Sequence, residues 1–273
     1  MRISEILEIT RKYNVTPRKR KGQNFLVDER VANREIEYAQ ISKEDTVLEI
    51  GPGLGILTSR LVERAGRVIA IEYDRGLAKY NQERFGNKLE LIEGDALLIP
   101  FPAFDKIVSN IPYNISSPLI FKILEHRFKL AVIMIQKEFA ERMVAQPGDK
   151  RYSRLSIGTY YRADCELLEF VPRSRFWPAP EVDSMIIRLV PRDPPFRVKD
   201  EKSFFELVDL LFKYRRKKIG TVLRMSGIDA KSIEHLPYTD RRVDTLAPHE
   251  IGILSDVISS FTSLEKESDR RSL

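Results

Sequence analysis

From Thr46 onward, short apolar runs alternate with segments whose apolar residues recur at helical spacing. "TVLEIG", "RVIAIEYD", "LELIEGD", "DKIVSN" and "AVIMIQ" have the length and apolar content of strands buried in a sheet. Between them, "ILTSRLVERA", "GLAKYNQERF" and "SPLIFKILEHRF" read as helices. This alternation predicts a mostly parallel sheet covered on both faces. "CELLEFVP" and "SMIIRLVP" follow each other too closely for a helical crossover, so they are expected to pair antiparallel in the edge region. Beyond the proline-rich "PRDPPF" at 191–196 the periodicity is helical only. The expected organisation is an α/β domain over residues 1–190, the first 20 an extension, followed by a small all-helical domain over 197–273. In the extension, Ile3, Ile6, Leu7 and Tyr13 share one face and predict a short amphipathic helix.

Composition narrows the chemistry. The single cysteine, Cys165, excludes an intramolecular disulfide and a thiolate zinc cluster. His126, His235 and His249 are scattered, so no metal site is expected. No apolar run approaches a membrane span, and the charged N-terminus is neither a signal nor a transit peptide. A cytoplasmic monomer is the expectation. The net charge is +6, and it is clustered. Arg18, Lys19, Arg20 and Lys21 stand in a row, and Arg215, Arg216, Lys217 and Lys218 fall within "FKYRRKKIGTVLRM", read as an apolar-periodic helix. Two such clusters suit a polyanion such as nucleic acid, the bland alternative being two solvated charge runs.

"LEIGPGLGIL" sits at the first strand-to-helix turn, where open α/β sheets bind ligands. Gly51, Gly53 and Gly55 allow close backbone approach. Ile56 stands where a dinucleotide fingerprint needs Gly or Ala, which argues against a nicotinamide site. The E-x-G-x-G-x-G spacing resembles the first motif of S-adenosylmethionine-dependent methyltransferases. Glu72 ends the second strand, where a carboxylate can accept from both ribose hydroxyls. Asp95, after the third, can accept from an adenine amino group. Each acid alone would be an ordinary strand-end carboxylate; three such features at successive strand ends point to a nucleoside cofactor.

Asn110 ends the fourth strand and opens "NIPY". This pattern resembles methyltransferases acting on exocyclic amines of bases. The N6 lone pair of adenine is delocalised and weakly nucleophilic. Acceptors at its hydrogens, the Asn110 side-chain oxygen and the Ile111 carbonyl, would favour a pyramidal nitrogen. Pro112 stiffens the turn, and Tyr113 can stack on an extruded base. Phe176, in the rigid "RSRFWPAPEVDS", is a second stacking candidate, with Trp177 as the competing choice. Ser116 or Ser117 is the expected N-cap of the next helix.

Taken with "GQNFLVD", "EGDA", "MIQKEFAERMVAQPGDKRYSRLS" and "FKYRRKK", these segments resemble the KsgA-type dimethyladenosine transferases over residues 21 to about 250. The charge-rich composition and short tail place the likeness nearest the archaeal branch. The resemblance implies a Rossmann-like S-adenosylmethionine-dependent sheet with a C-terminal helical domain. It further implies dimethylation of N6 on two adjacent adenosines in the 3′-terminal hairpin loop of small-subunit rRNA, and a role in small-subunit biogenesis on a pre-small-subunit particle. Cofactor contacts are implied at Gln23, Asn24, Leu26, Gly51, Gly53, Glu72, Asp95 and Asn110. Two alternatives remain: an erythromycin-resistance type enzyme acting on large-subunit rRNA, and an assembly or transcription factor that keeps the fold without the chemistry.

Overall fold

The computed structural model describes residues 1–16 and 24–271, with side chains up to residue 260. The basic run Arg18, Lys19, Arg20 and Lys21, together with Gln23, lies outside the described residues. The chain forms two compact units, Met1–Ala140 with Ala163–Pro191, and Glu141–Arg162 with Arg192–Leu273.

In the first unit the elements run α1 (Ile3–Lys12), β1 (Phe25–Leu26), α2 (Glu29–Ala39), β2 (Thr46–Ile50), α3 (Thr58–Arg64), β3 (Arg67–Glu72), α4 (Arg75–Phe85), β4 (Glu90–Glu93), β5 (Lys106–Asn110), α5 (Ser116–Leu124) and β6 (Leu130–Gln136). Helix α6 (Lys137–Met143) leads into the second unit and is followed there by α7 (Arg154–Arg162). The chain then returns to the first unit with β7 (Ala163–Val171), β8 (Phe176–Trp177) and β9 (Ser184–Pro191). The remaining elements of the second unit are α8 (Glu201–Phe212), α9 (Ile219–Met225), α10 (Ala230–Glu234) and α11 (Pro248–Arg271).

Seven strands form the main sheet in the order β4-β3-β2-β5-β6-β9-β7. Six run in one direction, and β9 alone runs antiparallel, between β6 and β7, the edge arrangement expected from the sequence. Strands β3 and β6 are buried along nearly their whole length, as a sheet covered on both faces requires. The order reverses between β2 and β5. They pair only at Val47–Lys106 and Leu48–Ile107 and then part, opening a crevice beyond their C-terminal ends. Helix starts are fixed locally: Asp28 caps α2 through Arg30 N, and Asp74 caps α4 through Gly76 N and Leu77 N.

Several expectations need correction. The α1 helix exists, but its inner residues are Ile6 and Thr10, while Ile3 and Leu7 are 55% and 51% exposed. Neither Ser116 nor Ser117 caps α5; Ile115 occupies the cap without a side-chain bond, after the 3₁₀ turn Tyr113–Ile115. Residues 141–162 belong with the helical unit, so the boundary near residue 190 is incomplete. The cause is Tyr152, 1% exposed, whose hydroxyl donates to the Leu246 carbonyl at 2.9 Å and whose ring packs edge-on against Phe212.

The second basic cluster is a turn rather than helix. Tyr214–Lys217 link α8 to α9, with Lys217 N donating to the Tyr214 carbonyl. Arg215 is half-buried and donates to the Tyr152 carbonyl at 3.2 Å, a structural task. Lys218 faces Asp240 at 3.5 Å, and Arg216 and Lys217 are exposed. Among the described residues no helix is long and apolar enough to cross a membrane, and no group of three or more His, Cys, Asp or Glu could hold a metal ion.

Candidate active site

The crevice between β2 and β5 holds a cavity of about 320 Å³, within the range of roughly 300–1,000 Å³ usual for small-molecule sites. One wall is the loop after β2. Gly53 has φ +56°, and a Cβ there would lie 3.1 Å from the Phe25 ring. Gly55 has φ +71°, and a Cβ would strike Phe85 at 2.8 Å. Both positions therefore favour glycine on conformation, and Gly55 requires it on space as well. The loop is also tied from behind: the Asn81 amide donates to the Gly53 carbonyl at 2.8 Å, and Arg84 donates to the Leu54 carbonyl at 2.8 Å. Asn81 is fully buried on α4, and in the sequence it reads as an ordinary helix position.

Glu72 ends β3 on the same cavity. It is 5% exposed and accepts from Gly53 N at 3.1 Å on one oxygen and from Asp74 N at 2.9 Å on the other. Each oxygen keeps a lone pair for a further donor. Burial pushes its carboxyl up to about 7, although the two backbone donors favour the charged form. Glu49, one strand over, is 2% exposed and is pushed up to about 8 by burial, with Glu72 adding to the rise. Asp95 reaches the cavity after β4, and its Oδ1 accepts from Leu97 N at 2.9 Å.

The opposite wall is "NIPY". Ile111 N donates to the Met134 carbonyl at 3.1 Å, which carries the β5–β6 pairing one residue beyond Asn110. Pro112 lies against the glycine loop; a Cβ on Gly51 would be 3.6 Å from Pro112 Cδ. The Tyr113 ring is oriented by its hydroxyl, 2.6 Å from Ser184 Oγ, and burial raises the phenol above its usual value. Ser184 is fully buried at the start of β9; sequence reasoning misses it, because a serine at a strand end carries no signal of its partner. Asn110 Oδ1 is buried and has no hydrogen-bond partner among the described residues.

Of the two aromatic candidates, Phe176 lines the cavity. Leu26 pairs with Phe176 and Phe25 with Trp177 in the two-residue ribbon of β1 and β8, so the rings of Phe176 and Trp177 face opposite sides. Trp177 instead joins the cluster of Ile6, Phe25, Leu54 and Leu77. Asn24 reaches the cavity, whereas the Leu26 side chain is 3% exposed and packed in the core. The structure thus brings together Asn24, Gly51, Gly53, Glu72, Asp95, Asn110, Ile111, Pro112, Tyr113 and Phe176, and leaves the Leu26 side chain outside.

These residues fit S-adenosylmethionine. The glycine cradle admits a close ligand, Glu72 has acceptor capacity left for two hydroxyls, and the outer oxygen of Asp95 suits an amino group.

The ribosomal RNA adenine dimethylase family model matches residues 14–246. Over 272 residues the chain is 45% identical to the "Probable ribosomal RNA small subunit methyltransferase A" of Methanosarcina mazei, covering 94% of this chain and 98% of that protein. A protein of the same name from Thermococcus gammatolerans is 44% identical over 255 residues, covering 90% and 91%. Among solved structures, a dimethyladenosine transferase from Plasmodium falciparum superposes with a TM-score of 0.74 at 35% identity, covering 84% of this chain and 95% of that one. The 23S rRNA methyltransferase ErmE gives a TM-score of 0.65 at 30% identity, covering 86% and 100%. With most of its length matched, the chain belongs to the ribosomal RNA adenine dimethylase family of S-adenosylmethionine-dependent methyltransferases.

Proposed function

We propose that this enzyme methylates small-subunit rRNA, placing two methyl groups on N6 of each of two adjacent adenosines in the 3′-terminal hairpin loop. The observation that carries the chemistry is Asn110, with Ile111, Pro112 and Tyr113, lining the same cavity as the glycine loop and Glu72. The likeness to proteins named for the small ribosomal subunit supports the choice of RNA.

The roles divide along the cavity walls. Glu72 holds ribose hydroxyls, Asp95 an adenine amino group, and Asn24 with Gly51 and Gly53 the amino-acid end. When bound, S-adenosylmethionine supplies an electrophilic sulfonium methyl group. Asn110 Oδ1 and the Ile111 carbonyl accept the two hydrogens of the substrate amine, drawing its lone pair out of the ring and toward the methyl. Tyr113 and Phe176 take the extruded base between them, offsetting part of the unstacking cost at roughly 1–3 kcal/mol per stacked ring. Rate comes from position and from acceptors fixed before the reaction.

Arg216 and Lys217, with the run Arg18–Lys21, bind RNA phosphates. The enzyme works as a monomer in the cytoplasm, on a pre-small-subunit particle, and so takes part in subunit biogenesis. Radiolabelled methyl transfer to undermethylated small subunits, followed by nucleoside mapping, tests the proposal. Dimethyladenosine at two adjacent positions near the 3′ end is the expected product. Label confined to large-subunit RNA, the substrate named for ErmE, would overturn it.

A further inference from the structure

The loop between β4 and β5 carries Asp95, and a side chain of α5 grips that loop. Lys122 stands in the last turn of α5 and does not itself line the cavity. Its ammonium donates to the Ala96 carbonyl at 2.8 Å, the Leu97 carbonyl at 3.3 Å and the Ile99 carbonyl at 2.6 Å. An ammonium has three N–H donors, and these three carbonyls can occupy them all. The Phe101 ring adds a fourth contact, its centroid 4.2 Å from Nζ, and packs in turn against the His126 ring at 4.9 Å. Holding so long a side chain in one place costs rotamer freedom that a solvent-facing lysine keeps.

The gripped carbonyls belong to a tight turn. Leu98 N and Ile99 N both donate to the Asp95 carbonyl at 2.9 Å, and Leu97 N donates to Asp95 Oδ1 at 2.9 Å. The Ala96 carbonyl and the Leu97 N–H are the two ends of one planar trans peptide group, so they point in opposite directions. A grip on the carbonyl therefore aims the N–H, and that N–H holds Oδ1. A cation on the carbonyl also polarises the peptide and strengthens the bond its N–H makes. The second oxygen of the Asp95 carboxylate is left for a donor in the cavity.

We infer that Lys122 is a positioning residue for recognition of the cofactor's base: through the Ala96–Leu97 peptide it fixes the Asp95 carboxylate in the orientation that accepts an adenine amino group. Without the grip the carboxylate can swing, and a donor on the base is no longer told from an acceptor. Lys122 touches neither cofactor nor substrate in this scheme. The inference rests on the adenine contact assigned to Asp95 above.

Calorimetric binding of S-adenosylhomocysteine and S-inosylhomocysteine tests it. Where the adenine base carries an amino donor, the hypoxanthine base carries a carbonyl acceptor. The wild-type enzyme should prefer the adenine form roughly 10- to 100-fold, the scale of one mispaired polar group. Lys122→Met keeps the stem and removes the donors. Its preference should shrink to about threefold, with the inosine form bound within about twofold of wild type. Lys122→Gln, with two N–H donors on a shorter stem, should fall between, and is read in its place if Lys122→Met does not fold. Asp95→Ala should lose the preference altogether. Wild-type preference in the Lys122 variants beside its loss in Asp95→Ala would overturn the inference and leave the Asp95 contact standing. Equal weakening of both ligands by the Lys122 variants would make Lys122 a general prop of the loop, and also overturn it. Wild-type preference in Asp95→Ala would overturn both.

Discussion

Glu72 and Asp149 are both acids held in loops or strand ends, yet their surroundings treat them in opposite ways. Glu72 is 5% exposed, is paired with no cation among the described residues and is pushed up to about 7. Asp149, in the helical unit, is clasped by Arg151 at 3.0 Å, and Arg151 also reaches Glu141 at 3.0 Å; Asp149 falls to about 2. The contrast extends to their neighbours. In the first unit Glu35, Glu49 and Glu72 are all buried acids raised by desolvation. The helical unit instead sets its acids in pairs, such as Arg154–Asp209, Arg162–Glu201 and Arg241–Glu250. A paired surface acid is indifferent to what binds nearby. A buried acid without a cation responds to any donor that arrives, which suits a ligand site.

The severest test removes the acceptor at the reacting end. Asn110→Ala should lower turnover by roughly 10²- to 10³-fold, the scale of one missing transition-state hydrogen bond, with cofactor binding measured calorimetrically far less affected. Equal loss of both would make Asn110 a general support of the cavity and blur the contrast.

Next in size is Glu72→Gln, which should weaken cofactor binding by about 2 kcal/mol, roughly 30-fold. The wild-type pH profile follows from the same group. Hydroxyl donors favour the ionised carboxylate, so affinity should be flat above pH 7 and fall about tenfold per unit below it. The profile of Glu72→Gln should be flat throughout. For folding of the cofactor-free chain the sign reverses. Glu72 and Glu49 have folded pKa values above their unfolded ones, so their contribution to stability is greatest at low pH and declines as pH rises through about 7 and 8. Asp149 runs the other way: its contribution is present above the ordinary carboxylate range and is lost as pH falls toward 2. Thermal melts from pH 8 down to pH 3 should show both trends.

Charge reversal at Arg216 and Lys217 should leave cofactor affinity unchanged and flatten the salt dependence of rRNA binding. The log–log slope should change by about 0.7–0.9 for each phosphate no longer neutralised. An unchanged slope would return these residues to a solvated turn. The smallest effect belongs to Asp149→Asn. The pair is half-buried and still reached by solvent, so the melting temperature should fall slightly, and less at high salt.

How much of this is legible in the sequence depends on whether a residue's meaning is local. The strands of the sheet are readable because burial on both faces forces uninterrupted apolar runs such as "RVIAIE". The glycine loop and "NIPY" are readable because their function needs backbone conformations that few residues allow. Phe176 against Trp177 is not decidable, since adjacent aromatics offer the same local signal and only packing shows that Phe176 lines the cavity and Trp177 joins the cluster of Ile6, Phe25, Leu54 and Leu77. The membership of residues 141–162 hangs on Tyr152 meeting Leu246, ninety-four positions away. The basic run at 215–218 carries helical periodicity, yet hydrogen bonds with Tyr152, Val243 and Asp244 hold it as a turn. Glu35 is invisible because a glutamate on a charged helix looks like solvent-facing surface until packing shows otherwise.

Ser109 has a mechanical consequence. Where β2 and β5 part, backbone pairing ends, and the fully buried Ser109 hydroxyl takes its place, donating to the Ile50 carbonyl at 2.7 Å and accepting from Ile50 N at 3.3 Å. Ile50 directly precedes the glycine loop, and Asn110 directly follows Ser109. One hydroxyl therefore acts as a spacer gauge, setting how far the donor half of the crevice stands from the acceptor half. Methyl transfer tolerates little error in that distance, and a single oxygen atom at the fork keeps it.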